Sequence, residues 1–437
     1  MTSNSVLIHK HLSAGTPPVA CWPEGVHHVT VDGLNTARKL FGTHDEATRR
    51  MRSEVFYRAI QARQRLPQGM HDRCEEYVFA AGCPTPRDLA GLAHHLPLHY
   101  KVVRQHKLRL APGEVLDLTV DRQAYWPELD ELEEMYVFLC VERLELGKGA
   151  RIVVQGNVLA MACGTLVAEA AGAGANGPSS PFDIGILPTP FSVDRSTSAN
   201  TGAHGACGLA GGWGADGVRM SVAGSLFGPR VVGAIPEPHQ LDGADGEDGT
   251  AGEPGRRGFN GGMCRLADLR IDRLVGFDSR RPLRIFAQAG RGGDGGRGGD
   301  GGAGGDAGAG SPGLYTPDLA IGPGDGGCGG AGGDGGDGGN GGNGGISSNV
   351  FLELPVSCHG LVEAVCLPSE AGAGGSGGTG GRGGNGGMAE VAQAGSTPGM
   401  PGRSGSDGLC GSPGVPGKSR PGSAMYLIPM GGQSPNS

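Results

Sequence analysis

Residues 289–310 read AGRGGDGGRGGDGGAGGDAGAG. Glycine takes two of every three places through most of this stretch, and Arg291, Asp294, Arg297, Asp300, Ala303 and Asp306 take the third. Three is the repeat of the polyproline II type helix, which turns once in three residues and rises about 3.1 Å per residue. A flexible linker gains nothing from keeping phase. A threefold helix that must touch neighbours on two faces, and keep side chains on the third, does. Arg291, Asp294, Arg297 and Asp300 then form one charged ridge with a spacing of about 9 Å.

The phase recurs. Residues 290–306, 326–345 and 374–387 follow a Gly-Gly-X period, and Gly243–Gly261 and Gly399–Gly417 have glycine at every third place. Three readings compete. A collagen-like trimer needs proline for stiffness, and the Gly-Gly-X runs contain almost none. A disordered linker is what isolated glycine prefers, because ordering it costs the most entropy. The kept phase favours the third: a polyglycine II lattice of side-by-side threefold helices, each hydrogen-bonded to its neighbours.

Four glycine-containing segments follow a short strand-like stretch that ends in an Ala-rich step. LVAEAAGAG (166–174), RIFAQAGRGG (284–293), LVEAVCLPSEAGAGG (361–375) and EVAQAG (390–395) share the theme. The expected repeating unit is a strand on a sheet followed by an extended glycine segment. Upstream, YKVVRQHKLRL, EVLDLTV, MYVFLCVERLEL, ARIVVQGNVLAMAC and TLVAEAA alternate with period two and are split by Gly/Pro/Asn turns, as strands are. Both a β-sandwich and a β-solenoid fit them. In the first hundred residues VLIHKHL and VHHVTVDG read as strands. Thr43 and Glu46 form a capping box for a helix ending near Pro67, a second helix is expected over 71–81, and a third from Thr85-Pro86 to about Leu96. The expected fold class is α+β, mostly β and extended. It comprises a helical basic module at 1–98, a β domain at 99–172 and a glycine-rich domain at 173–437.

Charge is unevenly spread. Residues 1–110 carry 15 Lys/Arg against 9 Asp/Glu, whereas 111–146 carry 2 against 10. Two such blocks can dock within the chain or between copies. Nucleic acid is a poor partner for a chain of net charge −8 whose basic residues lack interleaved aromatics. Eleven cysteines without a C-x-x-C argue against a disulfide framework or zinc ribbon. No apolar run is long enough for a signal peptide or a membrane span.

Two resemblances stand beside this reading. RLELGKGARIVVQGNVLAM (143–161) resembles the coils of parallel β-solenoid surface proteins. GGAGGDGGDGGNGGNGG (329–345) is similar to the glycine-rich repeats of mycobacterial surface proteins, and glycine-helix bundles of this kind occur in phage tail-fibre adhesins and some antifreeze proteins. The chain lacks the N-terminal helical hairpin of the mycobacterial group. The resemblance implies an exposed structural or adhesive protein with no catalytic residues to carry over.

Catalytic chemistry has little to stand on. His94, His95, His99 and His106 cluster in sequence, but Pro97 separates the His95/His99 pair, so neither a metal nor a cofactor is expected. PELDELEEMY (127–136) lacks the fixed oxygens and central glycine of a calcium loop and reads as a short acidic helix. No nucleophile–base set is found, and G-x-G-x-x-G matches within glycine runs carry no information. The leading expectation is a non-enzymatic, self-assembling subunit of a surface filament, sheath or coat, polymerising through its helical and β regions. The alternative is an adhesin that recognises a glycan or surface receptor, with Trp213 and Tyr315 as the candidate ligand aromatics; a scattered enzyme site is a distant third. An extracellular or particle-surface location is expected, with the cytoplasm as the alternative.

Overall fold

The computed structural model describes residues 10–12, 16–42, 78–79, 93–129, 133–169, 181–190, 200–225, 228–316, 319–390 and 397–430. The described chain is mostly β. The helix expected near 43–66 lies outside the described residues, and of that expected over 71–81 only 78–79 are described, in a helical turn with Val78 and Phe79 buried. Of the third, only a 3-10 turn at Ala93–His95 is described. A helix the sequence reading missed, α1 (Leu34–Leu40), packs Leu34, Ala37 and Leu40 inward.

Strands run in chain order as β1 (Lys10–Leu12), β2 (Gly25–Val31), β3 (Leu98–Leu110), β4 (Val115–Asp117), β5 (Met135–Leu146), β6 (Arg151–Gln155), β7 (Val158–Ala168) and β8 (Ile184–Leu187). After a hairpin of β9 (Val222–Ser225) and β10 (Gly228–Val231) come β11 (Ala267–Val275) and β12 (Leu283–Gln288). A second hairpin, β13 (Leu314–Thr316) and β14 (Leu319–Ile321), precedes β15 (Val350–Leu354), β16 (Val362–Leu367) and β17 (Met425–Pro429). Of the acidic helix expected over 127–136, residues 130–132 lie outside the described residues, 127–129 form a turn and β5 begins at Met135; a described helical turn nearby is α2 (Arg122–Tyr125), capped by Asp121.

Two sheets organise the molecule. The larger has the order β1-β2-β3-β5-β7-β11-β15-β17 and the smaller β16-β12-β8-β6-β4. From β3 onward the chain visits them in turn, and every pairing between those strands is parallel. β2 joins antiparallel to β3 along seven residue pairs, from Gly25↔Arg104 to Val31↔Leu98, so the N-terminal strands extend the large sheet.

The sequence explains the layering. β12 is half-buried, and LRIFAQ alternates buried with partly exposed residues. β5 is covered on both faces and shows no alternation, as buried parallel strands do. Its Val137, Leu139 and Val141 meet Ile152, Val154, Ile184, Ile186 and Ile285 of the small sheet in one core. Its Tyr136 and Phe138 meet Phe41, Tyr100, Phe351 and Ile428 in another. At the turn between β6 and β7, Gly156 has φ +66, and a Cβ there would fall 2.7 Å from the Thr189 backbone. The opposite charge blocks pair internally across β3 and β5: Arg104 with Glu142 at 2.8 Å, Lys107 with Glu145 at 3.0 Å, and His106 with Glu142 at 2.6 Å.

Candidate functional site

Beyond the sheets, six extended runs leave and return among the described residues. Run 1 covers 200–218, run 2 241–262, run 3 289–311, run 4 324–345, run 5 370–388 and run 6 399–418. Runs 1, 3 and 5 lead out from β8, β12 and β16. Runs 2, 4 and 6 lead back to β11, β15 and β17. The two hairpins join runs 1 to 2 and 3 to 4 at the distal tip. Run 1 was not recognised in the sequence, although Gly202, Gly205, Gly208, Gly211, Gly214 and Gly217 keep the period. Ala, Leu, Cys and Trp on its other places hid it.

The runs are laterally hydrogen-bonded by one repeating rule. Within a Gly-Gly pair the first N–H donates to the run two further along: Gly295 to Ala373 O at 2.8 Å, Gly332 to Ser406 O at 2.9 Å. The second donates to the run before: Gly296 to Arg256 O and Gly333 to Gly302 O, both at 2.8 Å. Residue numbers show that odd runs are parallel to odd, even to even, and consecutive runs antiparallel. The result is a slab two rows deep.

Steric need follows the same rule. A Cβ on the first glycine would strike the next run, as Gly295 against Gly339 O at 1.9 Å. A Cβ on the second would strike the run two before, as Gly296 against Ala203 O at 1.9 Å. Runs 3, 4 and 5 have both neighbours and are Gly-Gly-X. Among the described residues runs 1 and 2 lack a run two before, and run 6 lacks a next run; each has one glycine per three. Seen this way, the two glycine patterns in the sequence mark position in the slab.

The third place is chemically active within the lattice. Asp294 Oδ1 accepts the N–H of Ala373 at 2.8 Å, and Asp300 Oδ1 that of Thr379 at 2.7 Å. On the other row, Asp245 accepts from Cys328 at 2.6 Å and Asp337 from Ser412 at 2.7 Å. These carboxylates satisfy the one backbone donor per turn that glycine pairing leaves over. The ridge residues are brought together as expected, in i,i+3 ion pairs: Arg291 with Asp294 and Arg297 with Asp300, each at 2.7 Å. The N–H of Ala373 holds the Asp294 carboxyl below its usual range. The N–H and then the hydroxyl of Thr379 do the same for Asp300.

Over runs 2 to 6 the register is continuous from sheet to slab, whereas run 1 slips against run 3: β8 and β12 pair at an offset of 101 residues (Ile184↔Ile285) and the two runs at 93. β11 and β15 pair with an 83-residue offset, Ala267↔Val350, which is the separation of Asp245 and Cys328. β12 and β16 pair Leu283↔Val362, matching the 79 residues between Asp294 and Ala373. Runs 2 to 6 therefore prolong the two sheets.

The candidate ligand aromatics are separated. Trp213 stands on the outer face of run 1 near the tip, with 85% of its surface exposed. Tyr315 lies in β13, paired opposite Ala320 and half-buried, so it is less available than its sequence setting suggested. No ring contact joins the two among the described residues. Val218, Val222, Val232, Ile235, Met388 and Met400 are also exposed at or near this end. Elsewhere, His28 stacks on Tyr125 at 3.5 Å, His99 meets Trp126 edge-on at 5.3 Å, and His95 faces Glu133 at 3.8 Å. Sequence proximity of the histidines thus resolves into separate packing roles.

No protein-family model, curated protein or solved structure matches this chain.

Proposed function

We propose that this is a non-enzymatic structural protein of the adhesin type. Its six runs pack as a polyglycine II lattice that carries a binding tip away from a β-solenoid core. By the threefold rise, a run of about 20 residues reaches roughly 60 Å. The observation that supports the reading is where apolar side chains are left uncovered. Trp213, the most exposed of them at 85%, lies with Val218, Val222, Met388 and Met400 toward the distal hairpins, while Leu209, Phe259, Leu409 and Val415 are uncovered along the runs. An exposed indole on a stiff support suits stacking against a sugar ring, so a glycan is the proposed ligand class. A glycan array should yield a ligand whose affinity falls at least about tenfold in Trp213→Ala, a loss of roughly 1.4 kcal/mol. Binding unchanged in both Trp213→Ala and Tyr315→Ala would sink the proposal.

A self-assembling subunit is the second proposal. The internally paired charge blocks favour it less than the last strands do, where Val356, Leu367 and Leu427 are exposed. Replacing all three by serine should abolish any association seen by sedimentation; association that survives rules out that surface.

A further inference from the structure

We infer that both ends of the slab are closed against further glycine runs, so the lattice does not grow from one copy of the chain into the next. This stands apart from the binding proposal and needs no ligand.

The leading end shows a steric closure. Gly296, Gly302 and Gly308 of run 3 face run 1, and a Cβ on any of them would lie 1.9 Å from a run 1 carbonyl oxygen. Run 1 is in the same register 93 residues earlier, the separation of Asp216 and Ala309. On the corresponding face it carries Ala203, Ala206, Leu209 and Ala215, all exposed. An incoming run would meet side chains at places where contact between runs tolerates only hydrogen.

At the trailing end the closure removes donors. Gly326, Gly338 and Gly341 of run 4 donate to run 6 at 2.8–2.9 Å. Run 6 repeats their register 75 residues later, the separation of Asp325 and Met400. At three of the six places there it holds Pro401, Pro413 and Pro416, which have no N–H to offer; Ser404, Asp407 and Cys410 between them keep theirs. Run 5 lies beside it on the same end. Its Gly383 and Gly386 N–H groups, in the register of the outward donors of run 3, are taken by Asp407 Oδ1 at 2.9 Å and Ser404 Oγ at 3.5 Å. Proline and inward-turned polar groups are how exposed sheet edges are blunted, and the slab edge uses both. Continuation requires the trailing end of one copy to meet the leading end of another, the head-to-tail geometry that makes open fibres. Here each side carries its own block.

Two full-length variants test this. One opens the leading end with Ala203→Gly, Ala206→Gly, Leu209→Gly and Ala215→Gly. The other opens the trailing end with Pro401→Gly, Ser404→Gly, Asp407→Gly, Pro413→Gly and Pro416→Gly. Each alone should sediment as a monomer, because its other end is still closed. Mixed in equal amounts they should form a one-to-one complex of twice the mass. Growth of wild type or of either single variant through the slab, or monomers only in a mixture of folded variants, would overturn the inference. Should either variant not fold, amide exchange in wild type decides. Gly374, Gly377 and Gly380, with no run beyond them, should exchange at least about tenfold faster than Gly295, Gly298 and Gly301. Equal protection would mean that something already covers the edge.

Discussion

Gly296 and Ala303 lie seven residues apart on run 3, yet they tolerate opposite things. Gly296 faces run 1, where a methyl would sit 1.9 Å from Ala203 O; Ala303 occupies a third place and is exposed. Gly296→Ala should cost about 3 kcal/mol, the upper part of the usual overpacking range, and Ala303→Ser under about 0.5 kcal/mol. Urea unfolding of the two variants checks the contrast. Asp300 is more than ridge decoration, because its carboxylate accepts the N–H and hydroxyl of Thr379. Its folded-state pKa is depressed, so its contribution is complete above the unfolded value of about 3.9 and is lost as pH falls below it. The urea midpoint should hold from pH 7 to about pH 4 and then drop. Asp294→Asn with Asp300→Asn should soften that drop, since an amide oxygen still accepts at low pH; an identical acid profile would contradict the capping role. The phase of these residues was legible in the sequence. That aspartate is needed on the solvent side was not, because its partner lies 79 residues away.

A single run is a poor structure by itself. Ordering one Gly-Gly-X triplet costs about 3–6 kcal/mol at roughly 1–2 kcal/mol per residue. Its two glycine donors and one capped donor return about 3 kcal/mol at near 1 kcal/mol each, and Cα–H···O contacts add about 0.5–1 kcal/mol apiece. The balance lies close to zero, so a run holds only when its neighbours are fixed in register by the sheets. Phase should therefore matter more than length. Deleting Gly335 alone turns every later side chain of run 4 onto a contact face. Deleting Gly335, Gly336 and Asp337 together keeps each face and shortens the run by one turn. The single deletion should lower the melting temperature more, and the reverse order would show that length dominates. At this scale the sequence was most informative for β3 to β7, where short apolar stretches split by Gly/Pro/Asn turns mark the strands. It was least so for run 1, whose third places vary most, and for α1, whose seven residues leave little periodicity to read.

Because runs 2 to 6 prolong their strands without a slip in register, core and slab should unfold together. Leu269 is fully buried in β11, and Leu269→Ala should cost about 2–5 kcal/mol. Hydrogen exchange should then speed up at Gly255 and Gly258 of run 2 as well as in β11 itself. Slab amides that keep wild-type protection would show two independent units. Neither the pairing of the two sheets nor the order of runs was readable beforehand, since both depend on contacts spanning tens of residues. What the sequence did carry is the difference between one glycine and two per triplet, and that difference encodes which neighbours a run has.

Strand register and run register share the 83-residue step from Ala267 to Val350. Within it, runs 3 and 4 are Gly-Gly-X and have neighbours on both sides. A tandem duplication of residues 267–349 would therefore insert an added storey that finds every contact already provided for, while the first and last runs stay where they are. The molecule can thus be inherited in different sizes by copying its middle, and such a lengthened chain should show two further runs of protected glycine amides.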